Sequence, residues 1–255
     1  PTVFGEKTVM RLTSKDGLTK PKSALGFDAE QEKVFDNILS NPHGIILVTG
    51  PTGSGKSTTL YTSLSELNTE DVNIITVEDP VEANINGINQ VQVNNKADMT
   101  FAAALRSILR QDPDIIMIGE IRDGETAGIA VQAAITGHLV VSTLHTNSAA
   151  STITRLIDMG IESYIAGDAV VGVIAQRLVR RLCTTCKQPR LVEDEERVQL
   201  GVSADEEDVI IYEPQGCPLC NDTGYSGRIG VYEMMPVSRE LQAVIASGAT
   251  ADVIE

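Results

Sequence analysis

One loop of the sequence has the spacing G-x-x-x-x-G-K-S/T, which is typical of loops that bind nucleotide phosphates. Its residues are Gly50, Pro51, Thr52, Gly53, Ser54, Gly55, Lys56 and Ser57, with Thr58 after them. Glycines let such a loop curl until its N–H groups converge on phosphate oxygens at a helix N-terminus. Lys56 is predicted to reach the β- and γ-phosphates of ATP, and the Ser57 hydroxyl to ligate Mg²⁺. A glycine-rich turn without a ligand is the alternative, and the strand pattern before the loop and the helix pattern after it favour the nucleotide.

Acidic residues follow two of the predicted strands, at the end where sheets of this kind bind ligands. Glu78, Asp79 and Glu82 follow the run IITV, and Glu120 follows IIMIG. A hydrolytic ATPase needs one carboxylate to orient or deprotonate the attacking water and another near Mg²⁺. We predict that Glu78 acts on the water and Glu120 on the Mg²⁺ side, and the choice among Glu78, Glu82 and Glu120 for the water stays open. Helix caps and solvated charges are the alternative, and Asp123 is predicted to be a helix cap.

Two histidines and three arginines are further candidates. His138 and His145 bracket the run LVVSTL. We expect each at a strand end beside the phosphate site, with His145 as a catalytic candidate, and a purely structural role is the alternative. Arg106, Arg110 and Arg122 lie close in sequence to the second acidic strand. An arginine from a neighbouring subunit completes the γ-phosphate site in some nucleotide hydrolases, and an ion pair within the chain is the other interpretation.

All four cysteines of the chain form two C-x-x-C pairs. They are Cys183, Cys186, Cys217 and Cys220. Two such pairs supply four thiolates in a tetrahedron around Zn²⁺. A metal-free thiol cluster and disulfides are the alternatives, and the reducing cytosol in which such an ATPase works disfavours disulfides. A four-thiolate zinc site has no open coordination position, so it is predicted to hold its subdomain together and to carry out no chemistry.

The elements around these residues predict an α/β fold. Apolar strand-like runs alternate with helical segments, which indicates a mainly parallel sheet covered by helices on both faces. The strands are GIILVT, NIITVE, INQVQV, DIIMIG and HLVVSTL, and the helices start near Asp28, Lys56, Thr100, Asp123 and Ser148.

Composition shifts along the chain predict four regions. Residues 1–27 read as the tail of a preceding domain and a linker, and 28–181 as the P-loop ATPase core. Residues 182–235 read as a tetracysteine metal-binding subdomain, and 236–255 as the start of a truncated C-terminal helical region. The subdomain contains an acidic insert, residues 193–208, with eight acids and one Arg. We interpret the insert as a pair of solvated helices, with a docking surface for a basic partner as the alternative.

The overall composition argues against a protein that binds nucleic acid or spans a membrane. The chain has 255 residues, a formal net charge of −15, 4% aromatic residues and no Trp. Proteins that hold nucleic acid usually present a basic face, and those that hold single strands present aromatic stacking platforms. No direct nucleic-acid partner is therefore expected. No run of about 18 apolar residues occurs, so no membrane span is expected, and both ends read as boundaries inside a longer cytoplasmic protein.

Five blocks of the sequence together resemble the type II secretion and type IV pilus assembly ATPases. The blocks are GPTGSGKSTTLY, ITVEDPVE, LRSILRQDPDIIMIGEIRD, AITGHLVVSTLHTN and the cysteine quartet, in that order over nearly the whole chain. In that family they are called Walker A, the Asp box, Walker B, the His box and the tetracysteine motif. Glu78, Asp79 and Glu82 fall on the Asp box, and His138 and His145 on the His box.

The resemblance implies a recombinase-like P-loop NTPase core that assembles into a homo-hexamer. It places the ring at the inner face of the cytoplasmic membrane, bound through an inner-membrane platform protein and associated cytoplasmic assembly proteins. ATP hydrolysis between subunits would then drive domain rotations that add pilin or pseudopilin subunits. Arg11 falls where the preceding domain of these ATPases carries an arginine that reaches the nucleotide. Retraction ATPases resemble the other blocks but lack the tetracysteine motif, so assembly is the expected direction.

Two other classes of function stay open at the level of the sequence. One is a DNA-handling motor for uptake or conjugation, against which the net charge speaks. The other is a nucleotide-binding scaffold without hydrolysis. Type II secretion and type IV pilus assembly share every block quoted above, so the sequence does not separate them.

Overall fold

The computed structural model describes residues 3–10, 19–203, 206 and 208–255. The helices are α1 (Ala29–Leu39), α2 (Lys56–Leu67), α3 (Phe101–Ile108), α4 (Gly124–Ile135), α5 (Ala149–Asp158), α6 (Ser163–Ala169), α7 (Asp194–Leu200), α8 (Arg239–Ala246) and α9 (Ala251–Ile254). The strands are β1 (Gly44–Thr49), β2 (Ile74–Glu78), β3 (Asn89–Gln92), β4 (Ile115–Ile118), β5 (Leu139–Leu144), β6 (Val170–Leu182), β7 (Gln188–Leu191), β8 (Ile210–Glu213) and β9 (Tyr225–Pro236). Arg11 lies outside the described residues.

A seven-stranded sheet has the order β3-β2-β4-β5-β1-β6-β9. The pairs β2–β3, β2–β4, β4–β5, β1–β5 and β1–β6 are parallel. Strands β1, β2, β4 and β5 are buried along their whole length, as expected for parallel strands with helices on both faces. The predicted α/β class with a mainly parallel sheet is confirmed. Strands β6, β7, β8 and β9 were not predicted.

Side chains that alternate along β1 enter two different cores, one on each face of the sheet. Ile45 and Leu47 lie in the core that α3 to α6 cover. Ile46 and Val48 lie in the other core, together with Phe35 and apolar residues of α1 and α2. Because helices cover both faces, the edge of the sheet is left for the loops that follow the strands.

Capping side chains set the starts of four helices around the sheet. Asp28, Thr100, Asp123 and Ser148 each accept a hydrogen bond from a backbone N–H of the first helical turn, so the predicted caps at Asp28 and Asp123 are confirmed. Helix α2 differs, because its N-cap is Gly55, which has no side chain to accept such bonds. The first-turn N–H groups of α2 are therefore left for another acceptor.

Contacts between residues divide the chain into two compact units. One unit is Pro1–Arg177 with Tyr232–Glu255, and the other is Leu178–Val231. In the second unit β7 and β8 form an antiparallel pair, and Arg190 of β7 forms ion pairs with Glu196 of α7 and Glu213 of β8.

The acidic insert was interpreted as a pair of helices; one helix is present, and the stretch predicted for the second includes residues 204, 205 and 207, which lie outside the described residues. Helix α7 is present, and the described residues between it and β8 are not helical. Gly201 ends α7 in the left-handed conformation, with a φ of 65°, which stops the helix after two turns. Among the described residues, no helix has the length and apolar content needed to cross a membrane.

Candidate nucleotide site and thiol cluster

Four neighbouring strands end at the same edge of the sheet, and each has a predicted site residue at its end or just after it. Val77 of β2 pairs with Ile118 of β4, and Ile118 pairs with Ser142 of β5. Thr49 of β1 pairs with Leu144 of β5. Because these strands are parallel, the phosphate loop, Glu78, Glu120 and His145 all lie at this carboxyl edge.

The phosphate loop runs from this edge into α2 through backbone that favours glycine. Gly50 has a φ of 144°, and a Cβ built there would lie 2.3 Å from the carbonyl oxygen of Gln176. Gly53 has a φ of 79°, and nothing lies within 4 Å of its Cβ position. Gly50 is thus required by packing against β6, whereas Gly53 is favoured by its positive φ alone.

A buried glutamine of β6 braces the loop against the helix that follows. Gln176 is 3% exposed. Its amide donates to the Ser54 carbonyl oxygen at 2.8 Å and accepts from the Thr59 hydroxyl at 2.7 Å. The Ser54 hydroxyl, in contrast, is the one buried side-chain polar atom of the described residues without a hydrogen-bond partner. An unpaired buried hydroxyl is costly, and a phosphate oxygen in the loop would give it an acceptor.

Lys56 lies inside the loop it belongs to. Its Nζ donates to the carbonyl oxygens of Gly50 at 2.9 Å and Pro51 at 3.2 Å. Burial lowers the pKa of Lys56, and the negative charge of Glu120 opposes that shift. The ammonium is therefore held at the mouth of the loop by carbonyl groups that a phosphate can replace as partners.

Glu82 is the acid that contacts the predicted metal ligand of the loop. Its Oε1 accepts a hydrogen bond of 2.9 Å from the Ser57 hydroxyl. The residue is exposed, so its second carboxylate oxygen is open to solvent and ligands. Glu82 follows a cis Asp79–Pro80 peptide bond.

Glu78 has a different environment, because it is 3% exposed and surrounded by donors. One carboxylate oxygen accepts from the Tyr61 hydroxyl. The other accepts from Thr76 Oγ1 at 2.6 Å and Gln90 Nε2 at 3.0 Å. Both oxygens are thus engaged by uncharged protein groups.

Glu120 lies in a cluster of charges at the ends of β2, β4 and β5. It forms an ion pair with Arg122, and its Oε2 lies 3.4 Å from His145 Nε2. Arg122 also lies 3.8 Å from Asp79. Burial works against the charged form of Glu120, but Arg122 and His145 outweigh it and lower the pKa of this carboxyl. Glu120 is therefore an ionised acceptor beside Lys56 and His145.

The expectation that both histidines lie beside the phosphate site was wrong for His138. His138 precedes β5, and the six residues of that strand separate it from His145, a distance of about 20 Å. Its Nδ1 lies 3.0 Å from the Ala133 carbonyl oxygen, a structural contact. Arg106 also has a contact within the chain, an ion pair of 2.7 Å with Glu125.

The four cysteines lie together in the second unit as free thiols. Their sulfur atoms all lie within 4.8 Å of one another. Three of the separations are 3.7, 3.8 and 4.0 Å, too long for disulfides. Four thiolates around one ion at a metal–sulfur distance of about 2.3 Å would lie about 3.8 Å apart, so the cluster fits a tetrahedral metal ion.

The Cys220 thiol of the cluster has a lowered pKa. Burial works against the charged form of Cys220, but backbone N–H groups of Cys217 and Gly224 donate to its sulfur and lower its pKa to about 6. Metal ions bind the thiolate form. The donor set of the cluster therefore matches that of a structural metal site.

Three polar side chains around the nucleotide site were missed by sequence analysis. Gln176 and Gln90 lie in strands, and Tyr61 lies in α2 among core residues. Gln176 is the only amide in the apolar first half of β6, and a lone polar residue in such a run is a signal that a buried partner exists. Tyr61 carries no such signal, because its ring fits an apolar pattern.

The chain is similar to known secretion and pilus assembly proteins. A family model described as type II/IV secretion system protein matches residues 1–255. The type II secretion system ATPase E of Vibrio cholerae serotype O1 is 54% identical over 255 residues, which is 100% of this chain and 50% of that protein. The type IV pilus assembly ATPase PilB of Myxococcus xanthus is 54% identical over 253 residues, which is 98% of this chain and 45% of that protein.

The fold is similar to that of a solved structure. The crystal structure of the pilus retraction motor PilT with bound ADP matches with a TM-score of 0.70 at 30% identity. The match covers 94% of this chain and 60% of that one. The chain spans about half the length of the curated relatives it matches.

The hydrogen bonds of Gln176 to Thr59 and to the loop predict that removing two hydroxyl groups near the loop has different effects on the free energy of unfolding. Thr59→Val leaves the buried Gln176 oxygen without its donor, and we expect the free energy of unfolding to fall by about 1–3 kcal/mol. Ser54→Ala, the matched control, removes a hydroxyl without a partner and should cause no loss. Urea unfolding of the nucleotide-free protein measures both, and equal losses for the two variants would contradict the brace.

Proposed function

The chain belongs to the family of type II/IV secretion system proteins, and we propose that it is the ATP-hydrolysing part of a motor for type II secretion or type IV pilus assembly. The observation that carries this proposal is the meeting of the phosphate loop, Glu82 and the Glu120 cluster at one edge of the sheet. A scaffold that only holds a nucleotide needs the loop but not acids around it.

The loop binds the phosphates of ATP. The N–H groups at the start of α2 and the loop backbone donate to phosphate oxygens, and Lys56 exchanges its two carbonyl partners for the β- and γ-phosphates. Ser54, whose hydroxyl is buried and unpaired, donates to the same phosphates. These groups orient the γ-phosphate toward the acids at the ends of β2 and β4.

Glu82 is the acid that orients the attacking water in this proposal, in place of Glu78. Its carboxylate lies against Ser57, the residue that would hold Mg²⁺, and it has an oxygen left for a water. Glu78 has both oxygens occupied by protein donors. Mg²⁺, when bound, neutralises charge on the β- and γ-phosphate oxygens. Glu120 acts on the Mg²⁺ side of the site, and His145 orients its carboxylate.

The motor is a homo-hexamer in this proposal, with nucleotide sites at its subunit boundaries. Arg106, Arg110 and Arg122 are the candidates to reach a neighbour's γ-phosphate, and Arg106 and Arg122 would exchange their present partners Glu125 and Glu120 to do so. The ring lies at the inner face of the cytoplasmic membrane and acts on the platform protein. The net charge of −15 argues against a DNA-handling motor.

The thiol cluster is a structural Zn²⁺ site in this proposal. Its sulfur separations match the edges of a four-thiolate tetrahedron, and zinc is the usual ion of such closed sites. The cluster also favours an assembly motor over a retraction motor, in keeping with the similarity to the assembly ATPase PilB.

Replacing Lys56 tests the proposed function directly. Lys56→Ala removes the charge that meets the β- and γ-phosphates, and we expect ATP turnover by the full-length protein to fall about 100-fold or more. Phosphate release in the presence of Mg²⁺ measures it, and Lys33→Ala, at an exposed position of α1, is the matched control. Wild-type turnover in Lys56→Ala would refute the proposal, and turnover that DNA stimulates would indicate the DNA-handling class.

The roles of Glu78, at the end of β2, and Glu82, in the loop after it, are distinguished by measuring both turnover and stability. Glu82→Gln should lower turnover about 100-fold with ATP binding and the melting temperature kept. Glu78→Gln places an amide N–H₂ among three donors and should also lower the free energy of unfolding by about 1–3 kcal/mol. Glu66→Gln, exposed on α2, is the control. Normal turnover in Glu82→Gln would show that Glu82 does not orient the attacking water.

Metal analysis tests the thiol cluster. We expect one Zn²⁺ per chain in the purified protein, and its loss in Cys183→Ser should expose residues 178–231 to protease, because metal binding supplies folding free energy to so small a unit. Nucleotide affinity should be unchanged, and Thr185→Ala, between two of the cysteines, is the control. Metal-free protein whose four thiols react freely without loss of stability would contradict the site.

A further inference from the structure

The Tyr61 hydroxyl lies at the centre of the contacts that hold the loop after β2. Tyr61 is 1% exposed, and its ring packs in the core between α2 and the sheet. Its hydroxyl contacts the Glu78 carboxylate on one side. On the other side it accepts from the backbone N–H of Glu82 at 3.1 Å and of Ala83 at 3.4 Å.

The carboxylate fixes the direction of these hydrogen bonds. The Glu78 carboxylate accepts from the Tyr61 hydroxyl, and a tyrosine hydroxyl has a single proton to donate. The Tyr61 O–H bond therefore points at Glu78, and the lone pairs of the hydroxyl oxygen face the two N–H groups of the loop. Burial and the hydrogen bond to Glu78 raise the pKa of Tyr61, so the hydroxyl keeps this proton at neutral pH.

A second side chain, on the neighbouring strand β3, contacts the same loop. Gln90 of β3 donates to Glu78 and to the Ala83 carbonyl oxygen at 2.9 Å. Its own oxygen accepts from the Ile85 N–H at 2.8 Å. Glu78 is thus the shared acceptor of the two side chains that fix the backbone of residues 82–85.

The spacing along α2 places both anchors of Glu82 on one helix face. Ser57 and Tyr61 are four residues apart in α2, so they lie one turn apart on the same side. Ser57 holds the Glu82 side chain, and Tyr61 holds its backbone N–H. The helix that begins at the phosphate loop therefore also sets the position of the acid beside it.

We propose that Tyr61 is a positioning residue for ATP hydrolysis, which holds Glu82 against Ser57 while Glu78 orients the Tyr61 hydroxyl. This inference rests on the proposed function, because Glu82 is the acid assigned there to the water. Packing in the core needs only the ring, which phenylalanine supplies equally well. The hydroxyl is the part that reaches the loop. A displacement of about 1 Å at a reacting group can lower a rate about 100-fold.

The test compares two tyrosine-to-phenylalanine variants in the full-length protein. Tyr61→Phe should lower kcat for ATP about 10- to 100-fold and leave KM within about twofold, since the phosphate loop is intact. Tyr232→Phe is the matched control, because the Tyr232 ring packs against the same core as Tyr61 and its hydroxyl donates to the Leu25 carbonyl oxygen at 2.9 Å instead of to Glu78. It should keep both constants.

A double variant distinguishes positioning from a loss of stability. If Tyr61 acts through Glu82, then Tyr61→Phe with Glu82→Gln should be no slower than Glu82→Gln alone, whereas independent effects would multiply. Multiplied losses, or an unchanged kcat in Tyr61→Phe, would overturn the proposal and leave the ATPase function standing.

Amide exchange provides a readout that does not depend on turnover. Loss of the hydroxyl frees the N–H groups of Glu82 and Ala83, so hydrogen–deuterium exchange of residues 79–86 should become faster in Tyr61→Phe and not in Tyr232→Phe. Unchanged exchange would also overturn the proposal. A wild-type protein without ATP turnover would instead contradict the proposed function and, through it, the role of Tyr61 in hydrolysis.

Discussion

Parallel pairing of four neighbouring strands is the constraint on which the rest of the site depends. Strands β2, β4, β5 and β1 end at one edge, so residues that are far apart in sequence meet there without long loops. The two cores formed by helices on both faces keep the strands buried and their ends aligned. A register shift of one strand would separate the phosphate loop from its acids, because Glu78 is the last residue of β2 and Glu120 lies two residues after β4.

Around that edge, buried polar groups position charged ones. Gln176 fixes the loop, Tyr61 and Gln90 fix the segment that carries Glu82, and Glu78 accepts from both of these side chains. Such groups are costly to bury unless each finds its partner, so a satisfied network has one geometry. The charged residues Lys56 and Glu120 are placed at the border of this network, where a ligand can still exchange with their present partners.

Much of the fold could be predicted because the sequence carries strong local signals. Strands buried on both faces read as continuous apolar runs, and Asp28 and Asp123 precede their helices in the position of a cap. The phosphate loop and the two cysteine pairs are recognised by spacing alone. The direction in which Glu78 points is not local information, since it depends on Tyr61 from a helix and Gln90 from an adjacent strand. His138 was misplaced because both ends of a strand look alike in sequence, whereas only its carboxyl end reaches the site.

We propose above all that Ser57 ligates the metal ion of a bound nucleotide while Glu82, hydrogen-bonded to Ser57 in the free protein, orients the attacking water. A crystal structure with Mn²⁺ and a non-hydrolysable ATP analogue tests it most directly, because anomalous scattering locates the ion without ambiguity. We expect Mn²⁺ at about 2.1 Å from the Ser57 hydroxyl, with the Glu82 carboxylate hydrogen-bonded to a water beside the γ-phosphate. An ion held away from Ser57, or a Glu82 side chain turned out to solvent while Glu78 contacts that water, would contradict it.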